Sequence, residues 1–125
     1  MSAIYLSGLA GEHANWLSVR QTVIASNVAN ANTPGFKAKD ISAFEPGQTR
    51  FASLVATNAG HLNPASGASG SFKVSNESAW DVYHSGGTVN LPREMMKAGQ
   101  VSVDFQLNTT VMKSFHRMVV SAFGV

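Results

Sequence analysis

The side chains that could do chemistry in this chain are few and far apart. Four histidines, His13, His61, His84 and His116, invite a search for a metal. No two of them have zinc-site spacing, and there is no cysteine or carboxylate cluster to complete a site. The acids are Glu12, Asp40, Glu45, Glu77, Asp81, Glu94 and Asp104, and none is placed as a general acid opposite a general base. Serine, histidine and aspartate all occur, but their presence alone is not a triad. The expectation is a protein with no catalytic activity, no cofactor, no metal and no small-molecule substrate.

Composition supports that expectation from another side. Apolar residues make up an ordinary 44% of the 125 residues, whereas charged residues make up only 13%, about half the usual share. A surface so poor in charge is more comfortable when neighbours cover it. The net charge is +2 and the basic residues are scattered, so the pI near 9.2 reflects a shortage of acids and not a basic patch. Nucleic-acid binding gains no support from this. The first residues carry no basic region followed by an apolar run, so export through a cleaved signal peptide is not expected. No stretch approaches the roughly 20 apolar residues of a membrane span.

The elements that must carry the function lie at the two ends. Residues 3–31 read as one helix, with Leu6, Leu9, Leu17, Ile24, Val28 and Ala31 at helical spacing and Trp16, Val19 and Val23 widening the stripe. Gly8 and Gly11 weaken its first turns. Pro34 stops it, because the residue before a proline is disfavoured in the helical region. Thr33-Pro34-Gly35-Phe36 then fits a type II turn, with proline at the second position and glycine at the third. The final helix spans about residues 91–123. Asn90 is its expected N-cap, Pro92 suits its first turn and Glu94 suits its positive end. Val101, Phe105, Asn108, Met112, Phe115, Val119 and Ala122 alternate by four and three, which is a heptad seam. Asn108 in that seam is either a solvent-facing residue or a polar group that fixes register and partner number.

The middle, residues 37–89, is loop-rich, and 60–71 has the composition of a flexible linker. A short helix over 51–56 and a strand or small hairpin within 80–91 are its candidate elements. The expected fold is therefore mainly α. Its three parts are an N-terminal helix and turn motif (1–36), an irregular middle (37–89) and a C-terminal amphipathic helix (90–125). The two helices pair like a coiled coil within an assembly, since a lone hairpin leaves the outer part of each apolar stripe wet. The candidate assembly residues are Leu17, Ile24, Val28, Val101, Phe105, Asn108, Met112, Phe115 and Val119.

The run 23-VIASNVANANTPGFKAKD-40 closely resembles the N-terminal signature of the flagellar rod and hook family. Asn27, Asn30, Thr33, Pro34, Gly35 and Phe36 occupy its signature positions. The short length, the run 86-GGTVNLPREM-95 and, more weakly, Phe51, Leu54, Thr57, His61 and Leu62 resemble a proximal rod member of that family. Asn90 and Pro92 depart from it, standing where acids are common in relatives. The resemblance implies export by the flagellar type III apparatus without cleavage, with Ile4, Tyr5 and Leu6 as the candidate signal read by the export gate. It also implies assembly with other copies, other rod subunits, a rod-base adaptor and the inner-membrane ring, in a rod that spans the periplasm. Another rod subunit of the same family, or a helical adaptor or chaperone with one partner, are the competing readings.

Overall fold

A computed structural model describes residues 2–46, 72–78, 82–84 and 86–124. The expected helix over 51–56, the linker at 60–71 and the family-like residues between Phe51 and Leu62 lie outside the described residues.

The order of elements is α1 (Ser2–Ala29), β1 (Lys39–Ile41), β2 (Val74–Asn76) and α2 (Leu91–Ala122). The two helices run antiparallel, as the cross-seam contacts Asn27–Glu94 and Ala10–Asn108 require. Gly8 and Gly11 leave α1 continuous from Ser2. The stop after α1 is built as its residues dictate. Asn30 donates its side-chain amide back to the Ser26 carbonyl, and Thr33 Oγ1 donates to Asn30 Oδ1. Phe36 N–H then reaches the Thr33 carbonyl at 3.2 Å, with Gly35 at φ +74°, which closes the turn in the form its proline and glycine favour. At the other end Asn90 accepts from Arg93 N–H, with Pro92 in the first turn of α2.

The small sheet is not where the sequence pointed. The strand pair is Lys39–Ile41 against Val74–Asn76, antiparallel, with Asp40 opposite Ser75. Around 82–87 there is instead a tight turn: Tyr83 N–H donates to Gly87 O at 2.9 Å, Gly86 N–H donates to Tyr83 O at 2.7 Å, and Gly86 holds φ +80°. The segment after this turn lies on the Thr33–Phe36 turn, where Thr88 N–H donates to Phe36 O and Thr88 Oγ1 accepts from Ala38 N–H. The two loops that flank the helices are thereby tied to each other.

The core sits at this end of the helix pair. Trp16, Leu17, Ile24, Ile41 and Val101 form its buried cluster, with Val19, Val23, Val28, Phe44, Phe72, Ala98 and Phe105 packed around it. Trp16 donates its indole N–H to the Ser42 carbonyl at 2.8 Å, so its apolar body is buried without an unsatisfied polar end. His13 and Phe44 complete a ring cluster with Trp16, at centroid distances of 5.9 and 6.0 Å from it.

Candidate functional site

Along α2 the residues that turn inward are Glu94, Ala98, Val101, Phe105, Asn108, Met112, Phe115 and Val119. This is the four-three row expected from the sequence, extended one heptad towards the start of the helix. The matching row of α1 is Leu6, Ala10, His13, Leu17, Arg20, Ile24 and Asn27. It is less apolar than the stripe read from sequence, because His13, Arg20 and Asn27 face inward with the aliphatic residues.

The two halves of this seam differ sharply. At the inner half, Leu17, Ile24 and Val101 are sealed in the chain's own core, with Leu17 completely inaccessible. At the outer half, Phe105, Asn108, Met112, Phe115 and Val119 are only half-buried, and Ala122 is exposed. Asn108 crosses the seam, donating its amide to the Ala10 carbonyl at 3.1 Å. Its side chain therefore lies in the seam and does not simply face solvent. Val28 is half-buried, Tyr5 is exposed and Leu6 is half-buried, while Ile4 lies in the first turn of α1.

A second face of α2 was not singled out in the sequence as an element of its own. Met96, Val103, Leu107, Val111 and Met118 stand on one side of the helix, well away from the seam, and all are exposed. Leu107 and Met118 are 61% and 62% exposed. A helix buried on one apolar stripe and open on another has room for a second neighbour.

The polar constellation at the inner end also escaped the sequence reading. Asn27, completely buried two residues before the end of α1, donates to the Lys39 carbonyl at 2.7 Å and to Glu94 Oε2 at 3.0 Å, and accepts from Lys39 N–H. It therefore joins α1, β1 and α2. Glu94, 1% exposed, shares its other oxygen with Lys97 Nζ at 3.1 Å. Lys97 Nζ also lies 2.7 Å from Glu77 and 3.5 Å from Asp40, so three carboxylates from three segments converge on one ammonium. Arg93 adds an ion pair to Glu77 at 2.9 Å. Arg20 approaches Asp40 at 3.4 and 3.5 Å, but its buried Nε makes no well-directed hydrogen bond. The pair is joined by a long hydrogen bond from Arg20 Nη2 to Asp40 Oδ2 and is not a bidentate fork.

Burial alone would push the Lys97 ammonium towards neutrality. Its hydrogen bonds to Glu77 and Glu94, with the charges of Asp40 and Glu94, outweigh that and raise its pKa above the ordinary 10.5. The ammonium fills the space between the carboxylates. Among the described residues no group of three or more histidines, cysteines or acids is placed to hold a metal ion. The constellation fastens the middle segment and both helices together.

The motif residues frame this fastening. Asn27 is its buried centre, Asn30 and Thr33 brace the helix exit, and Thr33, Pro34 and Gly35 are exposed. Phe36 is half-buried, with the Lys39 ammonium 5.9 Å from its ring centroid. No described helix is long and apolar enough to cross a membrane.

Comparison with known proteins bears on this geometry. A family model described as flagella basal body rod protein matches residues 14–37, the stretch from the seam of α1 through Asn27 to the turn. The chain is 40% identical to flagellar basal body rod protein FlgB of Agrobacterium fabrum (strain C58), across 96% of this chain and 93% of that protein. It is 34% identical to the protein of the same name from Aeromonas hydrophila, across 90% and 89%. With that of Yersinia enterocolitica the identity is 33%, across 81% and 80%.

Proposed function

The chain belongs to the FlgB family of flagellar basal-body rod proteins, and from that premise we propose that it is a structural rod subunit that works by helix assembly. The observation that carries the proposal is the open apolar face of α2. Met96, Val103, Leu107, Val111 and Met118 remain exposed although the helix is already packed on its other side. Fully burying each such side chain is worth roughly 1.5–3 kcal/mol, so covering five of them is a strong drive to associate. The half-buried outer seam, Phe105, Asn108, Met112, Phe115 and Val119, and Val28 on α1 offer further positions for neighbours, apart from that face. Leu17, Ile24 and Val101 serve it from beneath by holding the two helices together.

In this reading the chain is exported by the type III gate without cleavage, its first turn with Ile4, Tyr5 and Leu6 being what the gate recognises. It then joins other copies, other rod subunits, the rod-base adaptor and the inner-membrane ring in a periplasm-spanning shaft that transmits torque. It performs no catalytic step.

The test is made in cells. Removing residues 101–125 leaves basal bodies without a rod, and replacing Ile4, Tyr5 and Leu6 by serine leaves the chain synthesised but retained. Rods formed without residues 101–125 would overturn the assembly reading and favour an adaptor with one partner. Normal secretion of the serine variant would sink the export assignment alone.

A further inference from the structure

We infer that the open stripe of α2 is self-complementary, and that a second copy of this chain seats its own α2 on it, antiparallel about Leu107. The stripe reads alike from both ends. Val103 and Val111 stand four residues to either side of Leu107, Gln100 and Ser114 seven, and Met96 and Met118 eleven. All of these positions are exposed, and at 3.6 residues per turn they fall within one quarter of the helix surface. From Met96 to Met118 that strip holds no charged side chain.

A two-fold axis at Leu107 sets each residue against its mirror position on the other copy. Valine then meets valine, methionine meets methionine, and the Gln100 amide faces the Ser114 hydroxyl, which can accept from it. The relief of the stripe fits the same pairing. Ser114, Arg117, Met118 and Ser121, with Ala122, line a shallow depression in the outer part of α2. The first four are spaced i, i+3, i+4 and i+7, the arrangement that forms a hole for a knob from a facing helix. The axis brings Met96, 77% exposed, over that depression on the other copy, and its unbranched side chain adapts to such a gap. A parallel pair would instead set depression against depression and Met96 against Met96. Arg117 at the rim comes near the end of α2 that carries Arg93 and Lys97, but both are already paired with carboxylates.

Covering the strip on both copies removes on the order of 1,000 Å² from water, the lower bound for a specific interface. The pair is therefore weak and reversible. It is also closed, because an isologous contact uses the same patch on both copies and leaves none for a third. A growing shaft needs an open, repeating contact, so the pair keeps this face covered until the chain joins one. That consequence rests on the rod reading; the pairing itself does not.

Sedimentation of the purified full chain, from micromolar to near-millimolar concentration, is expected to show a monomer passing to a dimer and no larger species. Val103→Lys or Val111→Glu alone, both at exposed positions, should raise the dissociation constant about tenfold or more, since each buries a charge against a valine. Combined in one chain they should restore pairing, because the axis sets the introduced ammonium opposite the introduced carboxylate in both copies. In a parallel pair the combination would set like charges together and separate the copies further. The chain contains no cysteine, so one spin label per copy can be placed through Gln106→Cys or Lys113→Cys, both exposed. Across the axis the Lys113 labels lie about 18 Å apart along the helices and the Gln106 labels about 3 Å, whereas a parallel pair gives similar distances at both sites. A chain that stays monomeric over this range, growth beyond a dimer, similar label distances at both sites, or no recovery in the combined variant would each overturn the inference. Rods are scored separately in cells, so loss of the rod reading leaves the solution dimer standing, and absence of the dimer leaves the rod reading standing with another subunit on the stripe.

Discussion

The inner and outer ends of the helix pair are made from the same heptad pattern, yet they are held by different physics. At the inner end the seam is sealed by Leu17, Ile24 and Val101 and covered by β1, Trp16 and Phe44. Its polar groups are matched one to another through Asn27, Glu94 and Lys97. At the outer end the same spacing leaves Met112, Phe115 and Val119 half in water. The difference shows that a heptad seam specifies which residues face inward, but not whether anything closes over them. Closure here comes from β1, Phe44 and Phe72, which lie against the inner end.

The largest expected effect comes from breaking the inner end at its charge centre. Lys97→Met leaves Glu94 buried with Asn27 and withdraws the ammonium shared by Asp40 and Glu77. Removing one partner of a buried pair costs about 3–5 kcal/mol. Arg20 and Arg93 remain beside Asp40 and Glu77, so the lower part of that range is expected, read as a shift in the denaturant midpoint. The contribution has a defined pH window. Because the folded pKa is raised above 10.5, the stabilisation is fully present below 10.5 and is lost as pH rises through the folded value. Native and Lys97→Met chains should therefore converge in stability at strongly alkaline pH. A gap that stays constant there would show that the residue acts through packing and not charge.

How much of this contrast the sequence discloses depends on the range of the interactions. The stop at Thr33–Phe36, the N-cap at Asn90 and the inward row of α2 follow from residues within a few positions of each other. Each was legible for that reason. The charge centre was not, because Arg20, Asp40, Glu77 and Lys97 come from separate segments and look scattered until the chain folds. Asn27 could be read as a capping residue because helix ends favour asparagine, whereas its burial depends on Lys39 and Glu94 arriving from elsewhere. The position of the strand pair was hidden for a related reason. Val74, Ser75 and Asn76 are all exposed, so three residues with no inside face left no alternation to detect, while Trp80, Val82 and Tyr83 carried a stronger strand signal.

A paired truncation sharpens the comparison at the level of packing. Leu17→Ala opens a void where no water reaches, at a cost of about 2–5 kcal/mol. Met112→Ala removes a side chain of comparable size from the same seam, but its site is already half in water. Both the lost burial and the cavity shrink accordingly, and about 1 kcal/mol or less is expected. Equal losses in thermal unfolding would mean that the outer end is as closed as the inner one, and the contrast between the ends would fail.

The smallest effect on stability should accompany the largest effect on assembly. Leu107 is 61% exposed on the face of α2 that the described residues leave uncovered. Leu107→Glu removes little buried area and places a charge in water, so unfolding of the purified chain should move by no more than about 0.5 kcal/mol. Within a rod that covers this face, the same carboxylate would be buried without a partner, at a cost of several kcal/mol for each subunit. Sedimentation and thermal melting of the dilute soluble chain should be unchanged, while basal bodies from cells carrying the variant should lack the rod. Intact rods would show that the outer stripe stays in water after assembly. The drive to associate would then have to come from the half-open seam alone.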